Sequence, residues 1–359
     1  MKGTLKVGVI GVGAIGKRHV ESYLACPQAE VVAIADVDET ALREAVAKYD
    51  LKTAVTDHRE LLALEEIAAV SVCTPPFAHA SLTCDAAAAG KHVLCEKPMA
   101  LNAREAREMV AACQKAGVKL GICHARSRFS PAVEAARRYV ASGALGRVYY
   151  ARVSRFRRRG RPGLDILLSS QWFLEAAKAG GGALADIGCY DLDLILYLLA
   201  HPRPVAVSAM TFRGVGEPVE LETPYDVEEH AALFVRFEEG LTATFETAWA
   251  ANMDGGDGVR LFGTKAGLRL TPLRVYTEQE GLQVEIVPQV PERQERGESL
   301  IADFVTACLT DGQPKTPGEE GLTVMEIMDA AYRSARLGRE VTIAEVRKQR
   351  SQRKRRTER

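Results

Sequence analysis

Apolar residues fall in two different rhythms along this chain. Up to about residue 124, short continuous runs of β-branched residues alternate with Ala-, Glu- and Arg-rich stretches of helical period. Leu5–Ile10, Val31–Ala35, Ala69–Cys73, His92–Cys95 and Lys119–Cys123 read as strands. Helices are expected over 14–25, 39–49, 79–89 and 103–116. Unbroken apolar strands separated by helices predict a parallel sheet covered on both faces, the doubly wound α/β plan. After residue 125 the rhythm changes. A helix near 131–142 is followed by longer alternating strands at Val148–Phe156, Val205–Arg213, Ala231–Phe237, Thr242–Trp249 and Val259–Phe262. Further helices are expected near 183–199, 299–311 and 319–336. Alternation predicts a sheet with one face packed and one open, hence an α+β domain on an open, mainly antiparallel sheet. The reading is a Rossmann domain over 1–124, a substrate and oligomerisation domain over 125–346, and a basic tail over 347–359. The tail, RKQRSQRKRRTER, has no apolar residue and is expected to be disordered and solvated, with weak contact to RNA or a membrane surface as the alternative.

Composition adds few exclusions. The 359 residues are 47% hydrophobic and 26% charged, an ordinary globular mixture. Lys+Arg and Asp+Glu both number 47, so net charge makes no case for a nucleic-acid partner. The eight cysteines form no C-x-x-C pair and none stands beside a histidine at zinc spacing, which predicts a reducing compartment and no metal site. The apolar start lacks a small-residue cleavage site, and no apolar run is long enough to span a bilayer. A cytoplasmic protein without membrane association is expected.

The first candidate site is Gly11-Val12-Gly13-Ala14-Ile15-Gly16, which follows a strand and opens a helix. Gly11 permits the tight turn, Gly13 a close approach of backbone to a pyrophosphate, and Gly16 close packing of helix on sheet. The N–H groups of the first helical turn, at Ala14 and Ile15, offer partial positive charge to phosphate. Asp36 ends the second strand 20 residues beyond Gly16, where an acidic group accepts from ribose hydroxyls and repels a 2′-phosphate. NAD is therefore the expected cofactor, with NADP the alternative. Asp36 as a plain strand-end turn residue is the other reading. Thr74 and Pro75 end another strand on the same edge, and His79 starts the next helix, as a cofactor neighbour or as a capping or packing residue.

Two clusters carry candidate chemistry. Glu96-Lys97-Pro98 follows the strand His92–Cys95, and Glu96 and Lys97 are expected beside the cofactor. An amine there, beside an oxidised nicotinamide, would have its pKa lowered toward neutrality by the neighbouring positive charge, which suits an acid/base. A solvated surface lysine is the competing reading. The proline is a candidate for a cis bond. In Gly180-Gly181-Gly182-Ala183-Leu184-Ala185-Asp186-Ile187-Gly188-Cys189-Tyr190, helical spacing puts Asp186 and Tyr190 on one face, and the glycines would let backbone approach cofactor or substrate. A capped core helix fits the same pattern. Seven arginines crowd 147–161, as a solvated edge or as a clamp for a carboxylate or phosphate. Arg155 is the best placed of them to meet substrate, and Arg126, after the last strand of the first domain, is also expected to reach it. Trp172 and Phe173 would line an apolar wall beside the substrate, or belong to the core.

GVGAIG, TPP with His79, AGKHVLCEKP and GGGALADIGCYDLD occur in this order, and SRFSPAVEAARRYVASGALGRV and LFGTKAGLRL follow suit. In these segments the chain resembles the glucose-fructose oxidoreductase, inositol dehydrogenase and rhizopine-catabolism (Gfo/Idh/MocA) superfamily, from about residue 3 to about 340. The resemblance implies that Lys97 is catalytic beside the nicotinamide and that Asp186 and Tyr190 are catalytic or substrate-orienting groups. It implies hydride transfer between nicotinamide and a secondary alcohol of a sugar-like molecule, in a homodimer or homotetramer built through the C-terminal sheet. Tyr190 stands where the inositol dehydrogenase branch has histidine, which argues against inositol as substrate and leaves a dihydrodiol or other carbonyl open. A non-catalytic NAD-sensing regulator on the same fold is the third reading.

Overall fold

The computed structural model describes residues 3–216, 221, 223–290 and 299–348. Within them the chain divides into two units, 1–126 with 295–322, and 127–294 with 323–359.

The first unit carries six parallel strands, β1 (Leu5–Ile10), β2 (Ala29–Ala35), β3 (Thr53–Val55), β4 (Ala69–Val72), β5 (His92–Cys95) and β6 (Leu120–Ile122), in the order β3-β2-β1-β4-β5-β6. The order reverses at β1, which is where ligands bind in open α/β sheets. Five helices connect these strands: α1 (Ala14–Leu24), α2 (Glu39–Tyr49), α3 (His58–Leu62), α4 (His79–Ala88) and α5 (Ala103–Ala116). The central strands are buried along their length, as Val7, Val9, Val70, Val72, Val93 and Leu94 require. Sequence periodicity put 299–311 with the second domain. It belongs instead to the first unit, because the chain returns to the sheet edge: Ile122 N–H donates to the Thr316 carbonyl (2.9 Å) and the Lys119 ammonium pairs with Asp311 (3.0 Å).

In the second unit, α6 (Pro131–Ala141) precedes β7 (Val148–Phe156), and the short α7 (Ala176–Ala179) and α8 (Cys189–Leu198) follow. Next come β8 (Pro204–Phe212), β9 (His230–Phe237), β10 (Thr242–Ala248), β11 (Gly258–Gly263), β12 (Gly267–Arg269), β13 (Arg274–Gln279) and β14 (Leu282–Ile286). Helix α9 (Leu300–Thr310) belongs to the first unit, and α10 (Gly318–Leu337), β15 (Val341–Thr342) and α11 (Ile343–Lys348) complete the described residues. The nine strands run β14-β13-β12-β11-β7-β10-β9-β8-β15, antiparallel except for the central β7–β10 pair. Alternation gives each central strand a packed and an open face: Ala151 and Val153 are buried, as are Leu233, Val235, Ala243 and Phe245. The tail begins later than residue 347. Arg347 and Lys348 form the last turn of α11, where the Arg347 guanidinium pairs with the buried Glu326 (2.6 Å), and residues 349–359 lie outside the described ones.

Candidate active site

At the end of β1 the glycines divide their work. A Cβ on Gly11 (φ 89°) would lie 2.8 Å from the Cys73 carbonyl carbon, and one on Gly16 would lie 1.9 Å from the Gly11 oxygen. Both positions are closed by backbone. A Cβ on Gly13 would meet no described atom within 4 Å, and Gly13 and Ala14 are exposed with Ile15 half-buried. Helix α1 therefore starts in the open. Asp38, Asn102 and Ser299 accept from first-turn N–H groups of α2, α5 and α9, but among the described residues no side chain caps α1. The Asp36 carboxylate turns toward this opening and accepts from Val12 N–H (2.7 Å) and Asp38 N–H (3.0 Å). Beside Gly11, at the end of β4, the buried Thr74 hydroxyl has no hydrogen-bond partner among the described residues. Uncapped amides, an acidic strand end, open space and an unpaired hydroxyl fit a dinucleotide.

Lys97 stands at the end of β5, two strands along the same edge, about 10 Å at ordinary strand spacing. It is half-buried, and its peptide bond to the buried Pro98 is cis. Glu96 does not face open space, where a cofactor contact would need it. It is buried, one oxygen accepting Lys97 N–H (3.0 Å) and the other meeting His19 Nε2 (3.0 Å) and the Arg126 guanidinium. Burial works to raise the Glu96 carboxyl pKa. The hydrogen bond from His19, the Arg126 charge and the Lys97 N–H outweigh it and hold the group well below the usual carboxylate range. Arg126, expected to reach substrate, is thus paired inside its own unit. His79 is fully buried, its Nε2 on the Thr74 carbonyl (2.7 Å) and its Nδ1 on that of Pro98 (2.9 Å). Burial lowers its pKa against these two acceptors. The neutral ring carries one N–H, so it donates to one of the two carbonyls and packs against the other.

His19, Glu96 and Cys123 are a buried trio whose ligand atoms lie within 4.8 Å of one another. The chemistry of the donors speaks against a cation there. The Arg126 guanidinium already neutralises Glu96, and burial together with that carboxylate pushes the Cys123 thiol well above its usual range, away from thiolate.

In the second unit the segment before α8 is wound as a π-turn, Leu184–Gly188, and Asp186 is buried in it. The indole N–H of the fully buried Trp249 donates to the Asp186 carboxylate (2.9 Å), and Arg157 stands 3.9 Å from the same oxygen. Trp172 stacks on Phe173 (3.8 Å between ring centres), and Phe173 meets Trp249 edge-on (6.5 Å). Phe173 thus packs on the buried group around Trp249, and the half-buried Trp172 joins that group through Phe173. Tyr190 is half-buried on the first turn of α8. Arg155 makes a two-point pair with the buried Asp191 (2.6 and 3.0 Å), and Arg128 pairs with the buried Asp193. Arg161 holds Asp165 and Glu229, and Arg152 stands 3.6 Å from Glu246. Four of the seven crowded arginines thus face carboxylates of their own chain.

The glycine run serves packing. Gly180 (φ 80°) ends α7, a Cβ on Gly181 would lie 1.9 Å from the Tyr332 hydroxyl, and one on Gly182 would lie 1.8 Å from the Glu228 carbonyl oxygen. The buried Glu228 carboxylate accepts from Gly182 and Leu184 N–H (both 2.9 Å) and from Tyr332 (3.0 Å). Sequence reasoning missed His19, Tyr23, Trp249 and Glu228. The signal for the first two was present: Gly16, His19, Val20 and Tyr23 form the buried face of α1 at i, i+3, i+4, i+7, an apolar stripe with two polar members.

Residues 5–124 match the family described as "Oxidoreductase family, NAD-binding Rossmann fold", and residues 133–269 match "GFO/IDH/MocA C-terminal domain". D-glucoside 3-dehydrogenase of Escherichia coli K12 is 29% identical over 351 residues, covering 94% of this chain and 97% of that protein. 1,5-Anhydro-D-fructose reductase of Ensifer adhaerens is 30% identical over 345 residues, 94% of this chain and 98% of its own length. A levoglucosan dehydrogenase solved with NADH and L-sorbose superposes with a TM-score of 0.82 at 25% identity, covering 95% and 99% of the two chains.

Proposed function

The chain belongs to the Gfo/Idh/MocA oxidoreductase family, and from that premise we propose that it moves a hydride between NAD and a secondary alcohol or ketone of a sugar, polyol or sugar derivative. The observation that carries this reading is one sheet edge in the first unit. There an uncapped helix start, the Asp36 carboxylate and the end-of-strand Lys97 lie along the carboxyl ends of β1, β2 and β5. NAD, when bound, supplies the nicotinamide carbon that accepts or returns the hydride. Gly13, Ala14 and Ile15 offer backbone to its pyrophosphate at the turn that Gly11 and Gly16 shape, and Asp36 accepts from ribose hydroxyls. Lys97 removes the substrate hydroxyl proton as the hydride departs, and returns it in reduction. Asp186, kept in place by Trp249, accepts from a second hydroxyl, Tyr190 orients the reacting one, and Trp172 offers an apolar surface to the ring.

The carboxylates facing Arg126 and Arg155 favour a neutral sugar or polyol over a sugar acid, since neither guanidinium brings uncompensated charge. The relatives are named dehydrogenases and reductases, which favours an enzyme over a sensor. A homodimer or homotetramer through the nine-stranded sheet is part of the same reading. Tyr150, Phe262, Phe234, Met210 and Phe212 share the open face by register, Met210 and Phe212 being 46% and 49% exposed. Eight free cysteines suit a reducing cytoplasm, and no helix among the described residues is long and apolar enough to cross a membrane.

The test is a screen of sugars, polyols and sugar acids with NAD and NADP, followed by reduced-cofactor absorbance. On the substrate found, Lys97→Met should lower kcat by about 10²–10⁴-fold while NADH still binds. Near-normal turnover of that variant rejects Lys97 as the base, and a preference for NADP rejects the role given to Asp36.

A further inference from the structure

Behind Lys97 runs a buried chain of polar groups that the reaction itself does not require. On α1, the Tyr23 hydroxyl lies 2.8 Å from the Ser71 oxygen of β4, and Ser71 lies 3.1 Å from His19 Nδ1. His19 Nε2 lies 3.0 Å from Glu96, whose other oxygen takes Lys97 N–H at 3.0 Å. Tyr23, Ser71, His19 and Glu96 are all buried, so water does not complete any of these pairs cheaply.

The donors can be counted. An ionised Glu96 only accepts, so Nε2 of His19 must donate to it. With a neutral ring Nδ1 accepts the Ser71 O–H, and with a charged ring it donates to the Ser71 oxygen. In both cases Nε2 donates to Glu96 and each group in the row from Tyr23 through Ser71 and His19 to Glu96 has a partner. The Arg126 guanidinium supplies the countercharge. The carboxylate at the end of this chain is thereby oriented so that its second oxygen holds the amide of the next residue. On the far side of Lys97, His79 Nδ1 lies 2.9 Å from the Pro98 carbonyl oxygen. The backbone on which the amine stands is gripped from the Glu96 side, and that grip starts from α1, the helix whose open end faces the cofactor turn.

We propose that His19 is a positioning residue for the reaction: through Glu96 it fixes the Lys97 backbone relative to helix α1, so that the amine is delivered to one place. The proposal rests on Lys97 being the base, but its first readout does not. Hydrogen exchange at the Lys97 amide, resolved by mass spectrometry with fragmentation, is measured on the full chain without cofactor or substrate. His19→Leu should speed that exchange about tenfold or more. It should lower kcat by about 10–100-fold through misplacement of the amine, with the NADH Kd changed by less than about threefold. His19→Gln keeps an N–H donor for Glu96 and should recover most of the protection and most of kcat. Unchanged exchange in His19→Leu overturns the grip. Faster exchange with unchanged kcat overturns its role in the reaction. Loss of NADH affinity in step with kcat assigns His19 to holding α1 together, and overturns the proposal as well. A Lys97→Met enzyme that still turns over fails the assignment of the base, and leaves the exchange result to judge the grip.

Discussion

The chain contains two glycine-rich segments, 11–16 and 180–182, that look alike on paper and are built for opposite ends. In the first, Gly11 and Gly16 are closed by backbone while Gly13 opens on empty space at an uncapped helix start. In the second, the missing side chains are replaced by parts of the same molecule, the Tyr332 hydroxyl at Gly181 and the Glu228 carbonyl at Gly182. A glycine run therefore has no meaning of its own. What decides is whether the vacated volume is filled from within the fold or left for something else. The carboxylates beside the two segments differ in the same sense. Asp36 takes two amides at the mouth of the first, and Glu228 is sealed beneath the second.

The largest effect should come from testing the filled position. Gly182→Ala drives a methyl group against a backbone carbonyl that cannot rotate away, and should cost about 4 kcal/mol or more of stability. Much of the protein would then be insoluble or melt far below wild type, whether or not NAD is present. Thermal denaturation of the purified chain reads this directly, and a variant melting with wild type would remove the packing account. Gly13→Ala is the counterpart. Its backbone (φ −63°, ψ −166°) suits alanine and nothing crowds the new methyl, so the melting temperature should hold. NADH binding should weaken by about ten- to a hundredfold, the worth of one hydrogen bond to a charged partner. An alanine at 13 that melts early but binds NADH normally would reverse the comparison.

The first segment was legible because its neighbours in sequence are its neighbours in space. Strand, turn, helix and Asp36 fall within 32 residues, and each step follows from local pattern. The second was not, because Glu228 and Tyr332 lie 46 and 150 residues beyond Gly182. The arginines taught the same lesson. Arg155 sits 36 residues from Asp191, and no local spacing betrays that its charge is already met. Strands β12 to β14 escaped notice since they are short, charged and half-exposed at the end of the sheet, so alternation has too few buried positions to stand out. The return of 299–316 to the first sheet was hidden too. Its apolar face, Leu300, Ile301, Phe304 and Val305, shows a helix but not which sheet it covers, and the contacts that fix the choice, Thr316 with Ile122 and Asp311 with Lys119, are backbone and ionic.

The smallest effect is on the pH dependence of stability, and it separates the two units by sign. Glu96 in the first unit has its carboxyl pKa held below the ordinary value of 4.5, because His19, Arg126 and the Lys97 amide overcome burial. Its folded state releases the proton more readily than its unfolded state. Its contribution is therefore full above about 4.5 and is lost as pH falls below that. Glu228 in the second unit has its pKa raised, because burial outweighs the Gly182 and Leu184 amides and the Tyr332 hydroxyl. Its folded state keeps the proton more tightly, so its contribution is full at acid pH and is lost as pH rises through the folded value. Urea unfolding between about pH 3.5 and pH 7 should then show opposite trends. The stability that wild type holds over Glu96→Gln should shrink as the solution is acidified. Relative to Glu228→Gln, wild type should instead gain on acidification, since a protonated Glu228 becomes as neutral as glutamine. If both differences moved the same way with pH, the contrast would fail at its most elementary point: a carboxylate held charged beside the proposed base, and one buried against its will beneath a packed turn.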